Sequence, residues 1–242
     1  MDLGIEGRVA VVAASSKGLG RAVADALGGE GVRLVISGRG QEALASAEAA
    51  LRSSGTEVIA VQCDVTDPLT PEHLVAVATD HFGRLDIVVP NAGGPPPGGA
   101  LEFDDDAILK AIQANLLTSV RFVRASLPHL RAARWGRICC IASSTIAQAS
   151  PTLALSNTAR TGLWAWAKTA AADLRDTGIT LNLACPGYHA TDRMIELGLA
   201  AGGRPMGDPS DFGKVVAFLC SQAAANLNGA RIVVDGGESL AL

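Results

Sequence analysis

No apolar stretch in the 242 residues reaches the ~18–20 residues a membrane-spanning helix requires. The 20 Lys and Arg include no run of five or six, and the formal net charge is −4. Nucleic acid and anionic membrane are therefore not expected as partners. The amino-terminal Met1-Asp2-Leu3-Gly4 is acidic and lacks the apolar core of a secretion signal, so a cytoplasmic location is expected. The five cysteines, Cys63, Cys139, Cys140, Cys185 and Cys220, form no C-x-x-C pair, and their number is odd. They read as free, buried thiols in a reducing compartment. The four histidines, His73, His81, His129 and His189, show no ligand spacing with them, so no metal site is expected. Tyrosine is scarcest of all: Tyr188 is the only one.

What is present suits α/β architecture. The chain is 48% hydrophobic and 18% charged, and a chain of this length buries roughly three quarters of the surface it exposes when unfolded. Apolar runs at Val9–Ala13, Arg33–Ser37, Glu57–Gln62, Ile87–Pro90, Arg137–Ala142, Thr180–Ala184 and Arg231–Val234 read as strands. Most are continuous rather than alternating, as parallel strands covered on both faces require. Helical patterns over 19–28, 41–53, 71–81, 104–130, 152–175 and 209–220 lie between them. The alternation predicts right-handed crossovers and a single doubly wound parallel sheet of about seven strands, helices on both faces, in one domain spanning 1–242. The run Gly93-Gly94-Pro95-Pro96-Pro97-Gly98-Gly99 reads as a loop after the fourth strand, since the alternation resumes directly after it.

After the first strand comes Ala13-Ala14-Ser15-Ser16-Lys17-Gly18-Leu19-Gly20 and then a helix. Glycines in such a turn let backbone approach a pyrophosphate, and the helix start supplies N–H donors and positive dipole. The second strand ends Ser37-Gly38-Arg39. Gly38 stands where an acidic residue would bind a ribose 2′-hydroxyl, whereas Arg39 can clamp a 2′-phosphate, with Lys17 as a second cation nearby. This points to NADP(H) rather than NAD.

The segment resembles the short-chain dehydrogenase/reductase family, whose motif is T-G-x3-G-x-G. Ala13 and Ala14 stand at its Thr and first Gly, while Gly18 and Gly20 match. Asp64-Val65 is similar to the family's adenine-contacting site, and Asn91-Ala92-Gly93 to its N-N-A-G, with Pro90 at the first Asn. Asn115 falls where the family keeps an Asn in a long helix. Gly136-Arg137-Ile138 through Ser143-Ser144 resembles the strand leading to the catalytic Ser. Asn182 to Pro186-Gly187, then Thr191, resembles N-x-V-x-P-G-x3-T, and Val234-Asp235-Gly236-Gly237 resembles the last strand. Seven motifs fall in register over essentially the whole chain. The resemblance implies a cofactor cradle of Ser15, Ser16, Lys17, Gly18, Leu19, Gly20, Arg39, Asp64, Val65, Asn91, Ala92, Gly93, Pro186, Gly187 and Thr191. It also implies hydride transfer between NADP(H) and a small carbonyl or alcohol.

The departure lies at the chemistry. The family pairs its Ser with Tyr-x3-Lys, thirteen residues beyond. Counting from Ser143 gives Ser156, and four further gives Arg160. A phenol titrates near ~10 and an adjacent cation can lower it, but a serine hydroxyl stays far from neutral pH. Losing general acid-base help costs ~10²–10⁴ in rate. The expected site is Ser143, Ser156, Arg160 and Asn115. Tyr188 and Met194 are expected at the substrate pocket, Tyr188 as a lining aromatic or a surrogate proton donor. Lys168 reads as an ordinary surface residue.

Residues 192–208 carry Gly198, Gly202, Gly203, Pro205 and Gly207 and read as a lid, with Met194, Ile195, Leu197, Leu199 and Met206 as its apolar face. Trp164 and Trp166, two apart, cannot share one helix face, so one is expected toward the sheet and one outward. An outward aromatic patch, together with the family's habit, implies a homotetramer or homodimer. Two other readings stay open: a catalytically silent NADP(H)-binding sensor or oligomer partner, and a reaction without net hydride transfer on the same scaffold.

Overall fold

The computed structural model describes residues 2–198 and 206–241. Seven parallel strands form one sheet: β1 (Val9–Val12), β2 (Arg33–Gly38), β3 (Val58–Gln62), β4 (Ile87–Val89), β5 (Gly136–Ile141), β6 (Ile179–Pro186) and β7 (Arg231–Val234). Their order is β3-β2-β1-β4-β5-β6-β7. β1 aligns Val9 with Arg33 of β2 and Ala10 with Ile87 of β4. The chain order reverses between β1 and β4, so the loops leaving these two strands diverge and open a crevice at the strands' carboxyl ends.

Helices α1 (Gly18–Gly29), α2 (Gln41–Ser53) and α8 (Pro209–Leu219) cover one face; α3 (Thr70–Phe82), α5 (Thr118–Ala133) and α6 (Ala154–Asp173) cover the other. Alternate residues of β1 serve both. Val9 and Val11 join the cluster with Leu74, Phe122 and Leu163, while Ala10 and Val12 join that with Val23, Leu27 and Phe212. Burial on both faces is why the strand sequences are apolar throughout.

The single helix expected over 104–130 is instead three pieces: α4 (Asp105–Ile112), a π-helical turn at Gln113–Leu117, and α5. Asp104 caps α4 by accepting from the Ala107 N–H at 2.9 Å. The π turn widens the helix at Asn115, a device that accompanies functional sites. The two tryptophans also differ from expectation. Neither faces wholly in or out: both are half-buried and pack against the α3/α5/α6 core, and Arg231 stacks on Trp164 at 4.5 Å. Lys168 is exposed but ties α6 to the loop before β7, its Nζ donating to the Gly229 carbonyl at 3.0 Å.

At the amino-terminal ends of the strands, Asp86 is fully buried and fully engaged. It accepts from Arg8 Nη1, from Arg84 Nε and Nη2, and from the Val9 N–H, all at 2.6–2.9 Å. Arg8 and Arg137 both lie against the Trp135 ring beside it, 3.9 and 4.5 Å from its centroid. Among the described residues, no helix is long and apolar enough to cross a membrane.

Candidate functional site

The carboxyl ends of β1, β4, β5 and β6 bring the expected residues together. The turn after β1 is pinned to β2 from both sides: Ser15 Oγ donates to Val12 O at 2.6 Å and accepts from the Ser37 N–H at 3.1 Å. Ser15 is buried and its side chain is occupied in this task, so only its neighbours face outward. Ala14, at the position of the family's first glycine, has φ +46°. A Cβ in the left-handed region costs about 1–2 kcal/mol. A glycine at this position would carry no such cost.

Beyond the turn, α1 begins at Gly18 with φ +60°, without a side-chain cap and without an acid in its first turn. Its leading N–H groups and positive dipole are thus available to an anion. Gly20 permits close approach: a Cβ there would meet the Ala14 carbonyl oxygen at 2.4 Å and Asn91 Nδ2 at 2.8 Å. Asn91 donates from that Nδ2 to Ala14 O at 3.1 Å and joins the β4 loop to the β1 turn. Ala92 packs against the core and Gly93 is exposed. Thr191 stands opposite α1, its Cγ2 3.9 Å from where a Gly18 Cβ would lie. Pro186 ends β6, and Gly187 donates to Val234 O at 2.9 Å.

The end of β2 carries the residues expected beside the ribose. A Cβ on Gly38 would lie 2.7 Å from Ser16 Oγ and 2.8 Å from Ser16 Cβ, so Ser16 fills the space an acidic side chain would need. Arg39 is largely exposed, its Nη1 4.0 Å from Asp64 Oδ2. Asp64 Oδ1 accepts from the N–H and hydroxyl of Thr66, which holds its carboxyl below the usual range, with a smaller contribution from Arg39. Val65 beside it is buried. Lys17 Nζ lies 3.4 Å from Asp192 Oδ2 at the start of α7 (Asp192–Glu196), an ion pair between two exposed side chains. An uncapped helix start and a glycine no larger residue can replace together fit a dinucleotide.

On the far side of the crevice, Ser143 Oγ accepts from the Thr145 N–H at 3.2 Å and caps the 3-10 turn Ser144–Ile146. A hydroxyl that accepts through one lone pair keeps its proton as a donor. Ser156 and Arg160 both lie on α6, each 8% exposed. Arg160 Nη1 donates to Ile141 O at 3.0 Å and Ala142 O at 2.9 Å, at the end of β5. Burial pulls its guanidinium down to about 10, the charge of Arg193 pulls the same way, and Cys185 opposes them. Asn115 is 3% exposed; its Nδ2 reaches Ala111 O at 3.5 Å, while its Oδ1 has no protein partner. Thr145 Oγ1 is likewise buried without a partner. Sequence reasoning passed over Thr145, since a Thr two residues after a Ser gives no signal of its own. Tyr188 and Met194 are half-buried at the root of the segment after β6. Tyr188 O accepts from the Gly207 N–H at 2.9 Å, and Ala190 donates to Gly207 O at 3.0 Å, closing the neck of that segment. Of the expected lid residues, Leu199, Gly202, Gly203 and Pro205 lie outside the described residues. Among the described residues no cluster of His, Cys, Asp and Glu could hold a metal.

Known proteins resemble the chain over nearly its whole length. Residues 13–239 match the family model described as "Enoyl-(Acyl carrier protein) reductase". Versicolorin reductase of Emericella nidulans is 31% identical over 255 residues, covering 96% of each chain. The human dehydrogenase/reductase SDR family member 4 is 30% identical over 241 residues, covering 95% of this chain and 87% of that protein. L-sorbose reductase from Gluconobacter frateurii, solved with NADPH and L-sorbose, superposes with a TM-score of 0.93 at 29% identity and full coverage of both chains. Actinorhodin polyketide ketoreductase with NADPH gives 0.88 at 29% identity, over 95% of this chain and 96% of that one. The chain therefore belongs to the short-chain dehydrogenase/reductase family of oxidoreductases.

Proposed function

We propose that this chain is an NADP(H)-dependent reductase of a small carbonyl compound, or the corresponding alcohol dehydrogenase, working without the family's tyrosine. The observation that carries this reading is the buried Arg160 held on the Ile141 and Ala142 carbonyls, directly before Ser143 at the end of β5, together with the uncapped start of α1 after β1. The nicotinamide, when bound, supplies or accepts hydride. Gly18, Leu19 and Gly20 hold the pyrophosphate by their N–H groups, with Thr191 facing them. Ser16 and Arg39 take the 2′-phosphate, assisted by Lys17. Asp64 and Val65 flank the adenine; Asn91, Ala92, Gly93, Pro186 and Gly187 border the nicotinamide half.

Ser143 donates its hydroxyl proton to the substrate oxygen as a hydrogen bond. Arg160 supplies a fixed positive charge in a dry site, where it favours the oxyanion formed at that oxygen. Neither group delivers a proton at neutral pH: Ser143 and Ser156 are too weakly acidic and Arg160 holds its proton to about 10. The oxygen takes its proton from solvent water, for which the orphaned Asn115 Oδ1 offers a binding point. The chain is a single domain, with Tyr188 and Met194 facing substrate, and the α5 and α6 faces join a second copy in a dimer or tetramer.

The second reading is a catalytically silent NADP(H)-binding protein. It is favoured by the engagement of Arg160 Nη1 with two β5 carbonyls, which directs part of the cation away from substrate. Single-turnover oxidation of bound NADPH by a panel of ketones separates them. Turnover that falls at least tenfold in Ser143→Ala supports the reductase. NADPH binding with no oxidation by any ketone supports the silent protein.

A further inference from the structure

Arg160 is a buried cation without a counter-ion. It is 8% exposed, and its Nη1 donates to two main-chain carbonyls, Ile141 O and Ala142 O. Among the described residues no carboxylate pairs with it. Neutral carbonyls satisfy N–H groups but leave the charge uncompensated, and a buried charge of that kind is costly unless a ligand supplies its opposite.

Groups that titrate near neutral pH are missing from the same place. Cys185 neighbours both Arg160 and Ser143, since the guanidinium charge and the Ser143 N–H both act on its thiol. Burial nevertheless pushes that thiol up to about 12, so it keeps its proton. His189 packs edge-on against Phe212, ring centroids 5.4 Å apart, in the cluster on the sheet's other face. His73, His81 and His129 are exposed on α3 and α5. An oxygen reduced beside Ser143 thus meets a cation and waits for solvent to protonate it. Its stability as an anion then decides the rate.

That condition sorts carbonyl compounds. Reduction of an isolated ketone leaves an alkoxide, whose conjugate acid is about as weak as water, ~16. Hydride delivered to an atom conjugated with the oxygen leaves an enolate or aryloxide, and a phenol titrates near ~10. The aryloxide is the weaker base by about six powers of ten.

We propose that the substrate is a conjugated carbonyl compound, an enone or a quinone, and that its reduced oxygen is held as an anion by Arg160 and Ser143. This rests on the reductase reading. In an enone the hydride pair forms a C–H bond at the β-carbon. The C=C pair shifts one bond toward the carbonyl, and the carbonyl pair moves onto oxygen. In a quinone the hydride pair forms an O–H bond at one oxygen, the ring becomes aromatic, and the far oxygen takes the charge. NADPH is the reductant in both, and water protonates the anion on release.

The test pairs cyclohexenone with cyclohexanone, and naphthoquinone with decalone. Single-turnover NADPH oxidation, without oxygen and corrected for the uncatalysed rate, should favour the conjugated member about a hundredfold or more. The pair that turns over names the class. Cyclohexenone should give cyclohexanone and not the allylic alcohol. Ser156→Tyr with Arg160→Lys should narrow the preference at least tenfold by speeding the saturated ketone. A nitrophenol, coloured when ionised, reads the anion site without turnover. Its ionisation on the NADPH complex should shift at least tenfold toward phenolate, and Arg160→Gln, checked for folding by thermal unfolding, should lose that shift. Allylic alcohol as product, saturated ketones reduced as fast as their partners, or a nitrophenol bound in its protonated form would overturn the proposal and leave the reductase reading standing. Tyr188→Phe slowing both members of a pair at least tenfold would place the acid at Tyr188 and overturn it likewise. Phenolate binding with none of the compounds reduced would overturn the reductase reading, and the proposal with it.

Discussion

Asp86, at the amino-terminal ends of β1 and β4, accepts four hydrogen bonds from Arg8, Arg84 and the Val9 N–H. At the carboxyl ends of the same strands Ala14 sits at φ +46°, Asn115 Oδ1 and Thr145 Oγ1 have no partner, and Arg160 rests on two neutral carbonyls. The same sheet supports both ends, so the difference is not one of fold quality. A buried charge with every lone pair matched stabilises the native state relative to any version lacking one partner. Strain and unsatisfied polar atoms persist where a ligand completes them. The lower end is built for stability and the upper end for binding.

The largest effect should come from rebuilding the upper end. Ser156→Tyr with Arg160→Lys restores a phenol and a cation at family spacing, and single-turnover hydride transfer is expected to rise about 10²–10⁴-fold. An unchanged rate would mean that proton delivery does not limit the reaction. At the lower end, Asp86→Ala leaves two arginines and an N–H without their acceptor. Denaturant unfolding should report a loss of about 3–5 kcal/mol, with nucleotide affinity retained in the folded fraction. A loss of nucleotide affinity with little change in stability would erase the contrast between the ends.

Smaller effects sharpen it. Ala14→Gly relieves about 1–2 kcal/mol of backbone strain, of which glycine's extra unfolded-state freedom offsets roughly 0.5–1 kcal/mol. A net gain of a few tenths to 1 kcal/mol is expected in thermal unfolding, and destabilisation would show that the turn is not strained. The pH profile tests Arg160. Its basicity is lowered by burial to about 10, so the cation persists below that pH and is lost as pH rises through it. The ratio kcat/KM should be level from about pH 6 to 9 and fall near 10. An inflection near neutrality would instead implicate another acid. Last, burial raises the Cys63, Cys140 and Cys185 thiols, a hydrogen bond with Cys220 and burial raise that of Cys139, and Cys63 alone is partly exposed. Alkylation of the folded protein should be confined to Cys63.

Much of the fold was legible because parallel strands announce themselves as continuous apolar runs. Arg231–Val234 is identical in sequence and structure, and Arg33–Ser37 differs by one residue. The π turn at Gln113–Leu117 was not legible, because one widened turn leaves the surrounding apolar spacing helical. The conformation of Ala14 was hidden for a different reason. Alanine carries no mark of positive φ, and only the alignment with a glycine position raised the question. The Asp86 cluster joins residues 77 and 78 apart, and no local pattern connects Arg8 to it. Gly38 was read as a missing acid, but the cause, Ser16 in the same space, is a contact between loops of two strands.

The most direct test of the account is calorimetric titration of the purified protein with NADPH and with NADH, repeated on Arg39→Asp. The account predicts that NADPH binds at least tenfold more tightly than NADH, and that Arg39→Asp removes this preference by opposing the 2′-phosphate. Binding of neither nucleotide, or an NADPH preference that survives Arg39→Asp, would contradict it.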